Sequence, residues 1–307
     1  MDIVRIKEVL TEAYIIGKHE SLKGDVANYI PALSRAKKDD FGITLITNKN
    51  DVINLGDTNT RFTMQSVSKI VILLFSLEKY GKDITFENVL MEPTGDSFNS
   101  ILKLDTVSAL PFNPLINAGA IELISKISND YEFEDLLEYT KHITGDHYIT
   151  LNEEVYLSEK ETGDRNRSIA YLLKSKGVLQ GEVDKTLDIY FKMCSLNVTS
   201  VTLAKLGLIL SNKGINPKDG NSYVKHENAK IVLSLMYTCG MYDESGEYGV
   251  LVGLPSKSGV GGGICVATNH DLAIGIYGPS LNKKGNSYGG IKALEYISEN
   301  LHLNVFD

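Results

Sequence analysis

The chain has no tryptophan, only three cysteines and seven prolines in 307 residues. It also has no apolar run of the roughly 18–20 residues that a membrane span needs. The longest candidate, Ile70 to Leu77, has the length of a core helix. Basic residues are not in excess: 31 Lys and Arg against 39 Asp and Glu leave a net charge of -8, spread along the chain. Nucleic acid and anionic membranes attract basic patches, so neither is an expected partner. Cys194, Cys239 and Cys265 are odd in number and widely separated, which offers neither a disulfide framework nor a zinc pattern. A reducing cytoplasm suits that usage. The six histidines (His19, His142, His147, His226, His270 and His302) include no i, i+4 pair, so no metal is expected. Val260-Gly261-Gly262-Gly263 lacks the Gly-x-x-x-x-Gly-Lys-Ser/Thr order and precedes a strand pattern, which argues against a nucleotide site. No cofactor is expected. The N-terminal MDIVRIKEVLTEAYIIG lacks the basic region, apolar core and cleavage site of a secretory leader. Its apolar residues recur instead at helical spacing.

What is present is a chain 43% hydrophobic, enough for a large core in one composite domain or two packed ones. FGITLITNKNDVINL, Phe41 to Leu55, alternates like two strands around the polar turn Asn48 to Asp51. An apolar helix follows, with Thr63 near its start and Gly81 just past its end. From about Phe86 to Asn212 the pattern is mostly helical. ITFENVLMEP, NAGAIELISKIS, FEDLLEYTKHI, RSIAYLLKSKG, VDKTLDIYFKMCS and SVTLAKLGLILSNKG all show three-to-four spacing. SEKETGDRN, Ser158 to Asn166, reads as a polar turn between helices. After about Val250 two strands are expected, Gly259–Thr268 and Leu272–Tyr277, joined at Asn269–Asp271, with a last helix from Gly290 to Leu301. The implied fold class is α/β (α+β), an antiparallel sheet built from both ends of the chain, flanked by helices and accompanied by a helical lobe. Residues 1–64 and 222–307 are expected to form the sheet lobe and 65–221 the mainly helical one.

The stretch FTMQSVSKIVILLFSLEKYG, Phe62 to Gly81, places Gln65, Ser66, Ser68 and Lys69 at the mouth of a helix with no polar face. A buried lysine is costly unless paired, neutralised or put to use. Ser66 and Lys69 are three apart, which puts them on one helical face. Burial and the positive end of the helix dipole would depress the lysine pKa. A neutral lysine can take the Ser66 hydroxyl proton and make a nucleophile. The Ser66 N–H would supply half of an oxyanion hole. Ser-x-x-Lys also begins at Ser34, Ser76, Ser100, Ser222 and Ser280, so spacing alone does not single out Ser66; its apolar helix does. A second motif, Lys257-Ser258-Gly259, stands at the late strand. The pair of motifs together is the arrangement of serine β-lactamases and penicillin-binding proteins.

MQSVSK, NPLINAGAI (Asn113 to Ile121), ETGDRN (Glu161 to Asn166) and GMYDESGEYGVLVGLPSKSGVGGG (Gly240 to Gly263) closely resemble the serine-dependent glutaminases. GDVANYIPAL (Gly24 to Leu33), EPTGDSFNS (Glu92 to Ser100) and GNSYGGIKA (Gly285 to Ala293) fit as well. The resemblance runs in order over nearly the whole chain. It implies a serine β-lactamase/transpeptidase-like fold and hydrolysis of L-glutamine to L-glutamate and ammonia. It implies Ser66 as nucleophile and Lys69 as its base. Substrate contacts fall on Ser66, Asn117, Glu159, Asn166, Tyr190, Tyr242 and Val260, with Tyr29 and Gln65 lining the site. Glu159 suits an α-ammonium, and the Asn117, Asn166 and Tyr190 polar groups an α-carboxylate. Val260 N–H would complete the oxyanion hole. Either Tyr242 or Tyr29 would move a proton. The resemblance is to the compact bacterial type, and it implies a homo-oligomer, dimer or tetramer. The competing readings are a β-lactamase or peptidase and a glutamine-binding protein without turnover.

Overall fold

Alternating GITLIT and VINLG build the first hairpin. A computed structural model of the chain describes residues 2–97, 99–269 and 272–307. In it β1 (Gly42–Thr47) pairs with β2 (Val52–Gly56) from Gly42 opposite Gly56 to Ile46 opposite Val52. Three short strands, β3 (Phe62–Thr63), β4 (Thr150–Leu151) and β5 (Leu196–Val198), form a small sheet ordered β3-β5-β4. The late strands β6 (Ser256–Ser258), β7 (Gly263–Ala267) and β8 (Leu272–Tyr277) join the hairpin in an antiparallel sheet ordered β2-β1-β8-β7-β6. The two ends of the chain do share one sheet, with Gly42 opposite Tyr277 and Thr47 opposite Leu272. His270 and the end of the expected Asn269–Asp271 connection lie outside the described residues.

Helix α1 (Ile3–Glu20) begins at Asp2, whose carboxylate accepts the Val4 N–H at 3.1 Å. There follow α2 (Ser68–Thr85), α3 (Leu102–Thr106), α4 (Asn117–Asp130), α5 (Phe133–Thr144) and α6 (Glu153–Glu161). Next come α7 (Asp164–Ser175), α8 (Val183–Cys194), α9 (Ser200–Ser211), α10 (His226–Cys239), α11 (Ser245–Leu251) and α12 (Tyr288–Leu301). Side chains alternate along β8, so its two faces meet different partners. Leu272, Ile274 and Ile276 pack with Ile6, Leu10 and Leu294 of α1 and α12. Ala273, pointing the other way, packs with Ala204 and Leu208 of α9. A Cβ on Gly275 would fall 1.9 Å from the Ser200 carbonyl, and one on Gly207 2.4 Å from the Val266 carbonyl. Those two glycines let α9 lie directly on the sheet. Every residue of α2 from Ser68 to Leu77 is buried, and the apolar ones belong to the largest apolar cluster, so a change such as Leu74→Ala costs about 2–5 kcal/mol.

Four local expectations are corrected. ITFENVLMEP is not a helix: only Ile84 and Thr85 belong to α2, and beyond them Leu90 and Glu92 donate to the Pro111 and Phe112 carbonyls. Those cross-chain bonds take the backbone groups a helix would have used. Gly81 does not end α2; its left-handed φ of 79° interrupts the helix, which runs one more turn to Thr85. SEKETGDRN is mostly helix, because the Asn152 side chain caps α6 and only Thr162 and Gly163 separate α6 from α7. The expected strand Gly259–Thr268 starts later, at Gly263. Gly259–Gly262 form a tight turn between β6 and β7, and Gly262 adopts a φ of 92° open to glycine.

Candidate active site

A short 3-10 turn, Gln65–Val67, carries the chain from β3 into α2. Met64 N–H donates to the Leu196 carbonyl at 2.8 Å and anchors the turn to β5. Gln65 then takes a left-handed φ of 48°, a conformation that costs a non-glycine residue about 1–2 kcal/mol and persists only where packing enforces it. The effect is to present Ser66 at the helix mouth. Ser66 is 7% exposed and Lys69 not at all. Lys69 Nζ stands 3.1 Å from Ser66 Oγ and donates to Asn117 Oδ1 at 2.6 Å. Burial lowers the Lys69 pKa to about 8, against the pull of nearby Cys194 and Glu159.

Four helices bring polar residues to the same cavity of about 80 Å³, among them Asn117 from α4, Glu159 from α6, Asn166 from α7 and Tyr190 from α8. Ser66, Gln65 and Tyr29 line it too. Asn117 Nδ2 donates to Asn166 Oδ1 at 2.9 Å, tying two walls together. Glu159 is buried, and burial raises its carboxyl to about 8 although Gln65 and Lys69 favour its anion. Tyr29 is 52% exposed, and it borders both this cavity and a wider adjoining cleft of about 800 Å³.

Tyr242 and Val260 approach Ser66 from the sheet side and do not line the small cavity. The Tyr242 hydroxyl donates to the Ser258 carbonyl at 3.2 Å and lies within hydrogen-bonding reach of the Ser66 hydroxyl. Burial raises its pKa to about 12. Tyr242, like Gln65, is left-handed, with a φ of 58°. Val260 follows β6 and borders the wider cleft. A Cβ on its neighbour Gly259 would come 3.3 Å from the Ser66 nitrogen, so this turn runs against the backbone of Ser66. The Val260 N–H donates to no acceptor among the described residues.

Three contributors were not assigned a place in the site from the sequence. Lys257, noted only as a motif, is wholly buried, donates to the Ser258 carbonyl at 2.6 Å and lies 4.2 Å over the Tyr242 ring. Burial, then the charge of Lys69, holds its pKa well below the ordinary lysine value. Arg165 and Cys194 line the small cavity; Arg165 sits inside ETGDRN, but nothing in its spacing marked it. Among the described residues no three His, Cys, Asp or Glu side chains are grouped to hold a metal ion. No helix there is long and apolar enough to cross a membrane.

A mixed fold with an antiparallel sheet flanked by helices, and a buried serine and lysine in contact at the head of a central helix, define an enzyme of the β-lactamase-like class. The family model described as Glutaminase matches residues 24–306. Glutaminase 2 of Clostridium perfringens (strain 13 / Type A) is 48% identical over 287 residues, covering 92% of this chain and 94% of the relative. A solved probable glutaminase, ybaS, superposes with a TM-score of 0.95 at 32% identity, with full coverage (100%) of both chains. The Bacillus subtilis glutaminase YbgJ, solved as a covalent complex with 5-oxo-L-norleucine formed by reaction with 6-diazo-5-oxo-L-norleucine, gives a TM-score of 0.87 at 33% identity, covering 99% of each chain. The chain belongs to the glutaminase family.

Proposed function

We propose that the protein hydrolyses the side-chain amide of L-glutamine to L-glutamate and ammonia through an acyl-enzyme on Ser66. The observation that carries the reading is the 3.1 Å approach of the buried Lys69 Nζ to Ser66 Oγ, where Ser66 lines a cavity that also holds a buried carboxylate, Glu159. A lysine with its pKa lowered to about 8 is partly neutral near neutral pH and can accept the Ser66 proton. Ser66 Oγ then bonds to the amide carbon, and the Ser66 and Val260 N–H groups receive the oxyanion. When the C–N bond breaks, the Tyr242 hydroxyl gives its proton to the departing nitrogen, and the proton held by Lys69 restores it. Water attacks the ester, its proton passes to Lys69, and glutamate leaves as Ser66 is reprotonated.

Glu159 pairs with the substrate α-ammonium, while Asn117, Asn166 and Tyr190 meet the α-carboxylate. Gln65 supports Glu159, and Tyr29 stands at the mouth. Polar groups left unpaired by a substrate without these charges would penalise it strongly. The covalent adduct of the Bacillus subtilis enzyme with a diazo-ketone analogue of glutamine supports a nucleophile at this site. The same reading puts the site between the sheet lobe (1–64 and 222–307) and the helical lobe (65–221). It makes the protein cytoplasmic, in keeping with its three free, buried thiols, and a homo-oligomer by family likeness.

The test is ammonia and glutamate release from L-glutamine by the purified protein, beside Ser66→Ala and Lys69→Ala, with D-glutamine and L-asparagine as controls. Turnover lost in both folded variants supports the reading. Turnover surviving Ser66→Ala rules out the nucleophile, and labelling by a fluorescent penicillin would favour a β-lactamase or peptidase instead.

A further inference from the structure

GNSYGG, Gly285 to Gly290, is prominent in the sequence and has no part in the reaction described above. It spans the end of the connection from β8 and the first turn of α12, and Gly285 and Tyr288 border the wider cleft that Val260 and Tyr29 also line. The loop is closed on itself. Lys284 and Asn286 N–H groups both donate to Asn282 Oδ1, at 2.9 and 3.1 Å, and the Asn282 N–H donates to the Asn286 carbonyl at 2.8 Å. Gly285 takes a φ of 86° at the tip, and the next side chain, Asn286, is turned inward and wholly buried.

All the polar atoms of the Asn286 side chain are used. Oδ1 accepts the Ser258 hydroxyl at 2.5 Å. Nδ2 donates to Glu244 Oε2 at 2.5 Å and faces the Met241 carbonyl at 3.3 Å. Glu244 is itself held by Asn282 Nδ2, at 2.9 and 3.1 Å to its two oxygens. Met241 and Glu244 bracket the strained Tyr242, and Ser258 supplies the carbonyl to which the Tyr242 hydroxyl donates. The contacts therefore close a ring. The Tyr242 turn is tied to Asn286, Asn286 to the Ser258 side chain, and the Ser258 carbonyl to the tip of Tyr242. Lys257 presses on the ring face from the same strand. A tyrosine at a φ of 58° relaxes unless neighbouring bonds oppose it. Besides Asn286, the turn is joined to β6 by the Ser258 N–H, which donates to the Gly240 carbonyl at 3.3 Å just before the turn begins, and by the hydroxyl that has to move a proton; of these only Asn286 grips the residues on both sides of Tyr242.

We propose that Asn286 is a positioning residue that fixes the Tyr242 hydroxyl against Ser66 by clamping the Met241–Glu244 turn to the side chain of Ser258. This rests on the reading of Tyr242 as the proton donor to the leaving nitrogen. A donor matters in proportion to how poorly the leaving group departs unaided. An amide nitrogen has to be protonated before it leaves, whereas a thiolate leaves without a proton. Misplacing Tyr242 should therefore slow amide hydrolysis selectively. A general loss of structure would slow both substrates alike.

The experiment compares kcat and KM for L-glutamine and for an L-glutamate γ-thioester in the parent, Asn286→Ala, Ser258→Ala, Tyr242→Phe and the Asn286→Ala/Tyr242→Phe double variant. Ser258→Ala removes the same tether by deleting one hydroxyl, so it serves if Asn286→Ala does not fold. The expected result is a fall in kcat for glutamine of roughly ten- to a hundredfold in either tether variant. The thioester should lose less than about threefold, with KM little changed. The double variant should be no slower than Tyr242→Phe alone. Equal losses on both substrates in the tether variants, no loss at all, or independent losses in the double variant would overturn the role of Asn286. If Tyr242→Phe alone fails to separate the two substrates, the proton-donor reading falls and the positioning proposal with it.

Discussion

Lys69 Nζ and Asn117 Oδ1 are 2.6 Å apart, joining the first turn of α2 to the first residue of α4. The other half of the same amide donates to Asn166 Oδ1 at 2.9 Å. One side chain thus orients both the base of the proposed dyad and a wall of the cavity. Asn117→Asp would put an anion against the lysine and favour its protonated form, raising its pKa by about 1–3 units. The rising limb of kcat/KM against pH should move to higher pH by about that amount. An unmoved limb would show that Lys69 is not the group whose titration limits the rate.

In the parent, burial lowers Lys69 to about 8 and raises Glu159 to about 8. The active forms, a neutral amine and an ionised carboxylate, both appear as pH rises. Turnover of glutamine should therefore increase from pH 6 to above 8 (about two units) and not peak near neutrality. A flat or falling kcat/KM over that interval would contradict the protonation states assigned to both groups.

The same shift has a stability consequence with a definite sign. The Lys69 pKa is lower folded than unfolded, so the unfolded chain holds the extra proton. The penalty is complete below about pH 8 and fades as pH rises toward the ordinary value of 10.5. Lys69→Met should be inactive and yet more stable at pH 7, by roughly 2–3 kcal/mol. The gain should shrink toward pH 10. Denaturant melts at the two pH values check both points, and a variant less stable at pH 7 would mean that its bonds to Ser66 and Asn117 outweigh desolvation.

A Cβ on Gly261 would fall 2.4 Å from the Thr63 carbonyl, a backbone atom that cannot rotate aside. Gly261→Ala should push the turn carrying Val260 away from Ser66. We expect a fall in kcat of roughly a hundredfold and a loss of about 1–3 kcal/mol in stability. Gly246→Ala, where a Cβ meets nothing within 4 Å, is the control and should leave both unchanged. Equal behaviour of the two variants would remove the turn from the oxyanion site.

Much of the architecture was legible because its signals are local. The alternation of GITLIT and VINLG marked the hairpin, and three-to-four spacing marked α4, α5, α7, α8 and α9. Helix α10 carries the same spacing in its buried residues Ala229, Val232, Leu235, Met236 and Cys239. ITFENVLMEP carried the signal and formed no helix, because the segment at Pro111 and Phe112 claimed its backbone. At the site, the resemblance to the glutaminases implied Gln65, Asn117, Glu159, Asn166 and Tyr190, of which Gln65, Asn117 and Asn166 stand in the motifs that carry it, and the fold gathers all five with Ser66 round one cavity.

By itself the sequence determined the strand and helix periods, the Ser66–Lys69 spacing on one helical face, and the lack of any polar face that could hold that lysine in water. These follow from bonds and side-chain directions within a few residues. Only the tertiary structure decided that Gln65 and Tyr242 would be left-handed, and that Lys257 would lie on the Tyr242 ring. It alone brought Asn286 to join a turn and a strand distant in sequence. No local preference favours those conformations. They hold because the surrounding packing and hydrogen bonds offset their strain and leave the side chains no other place to go.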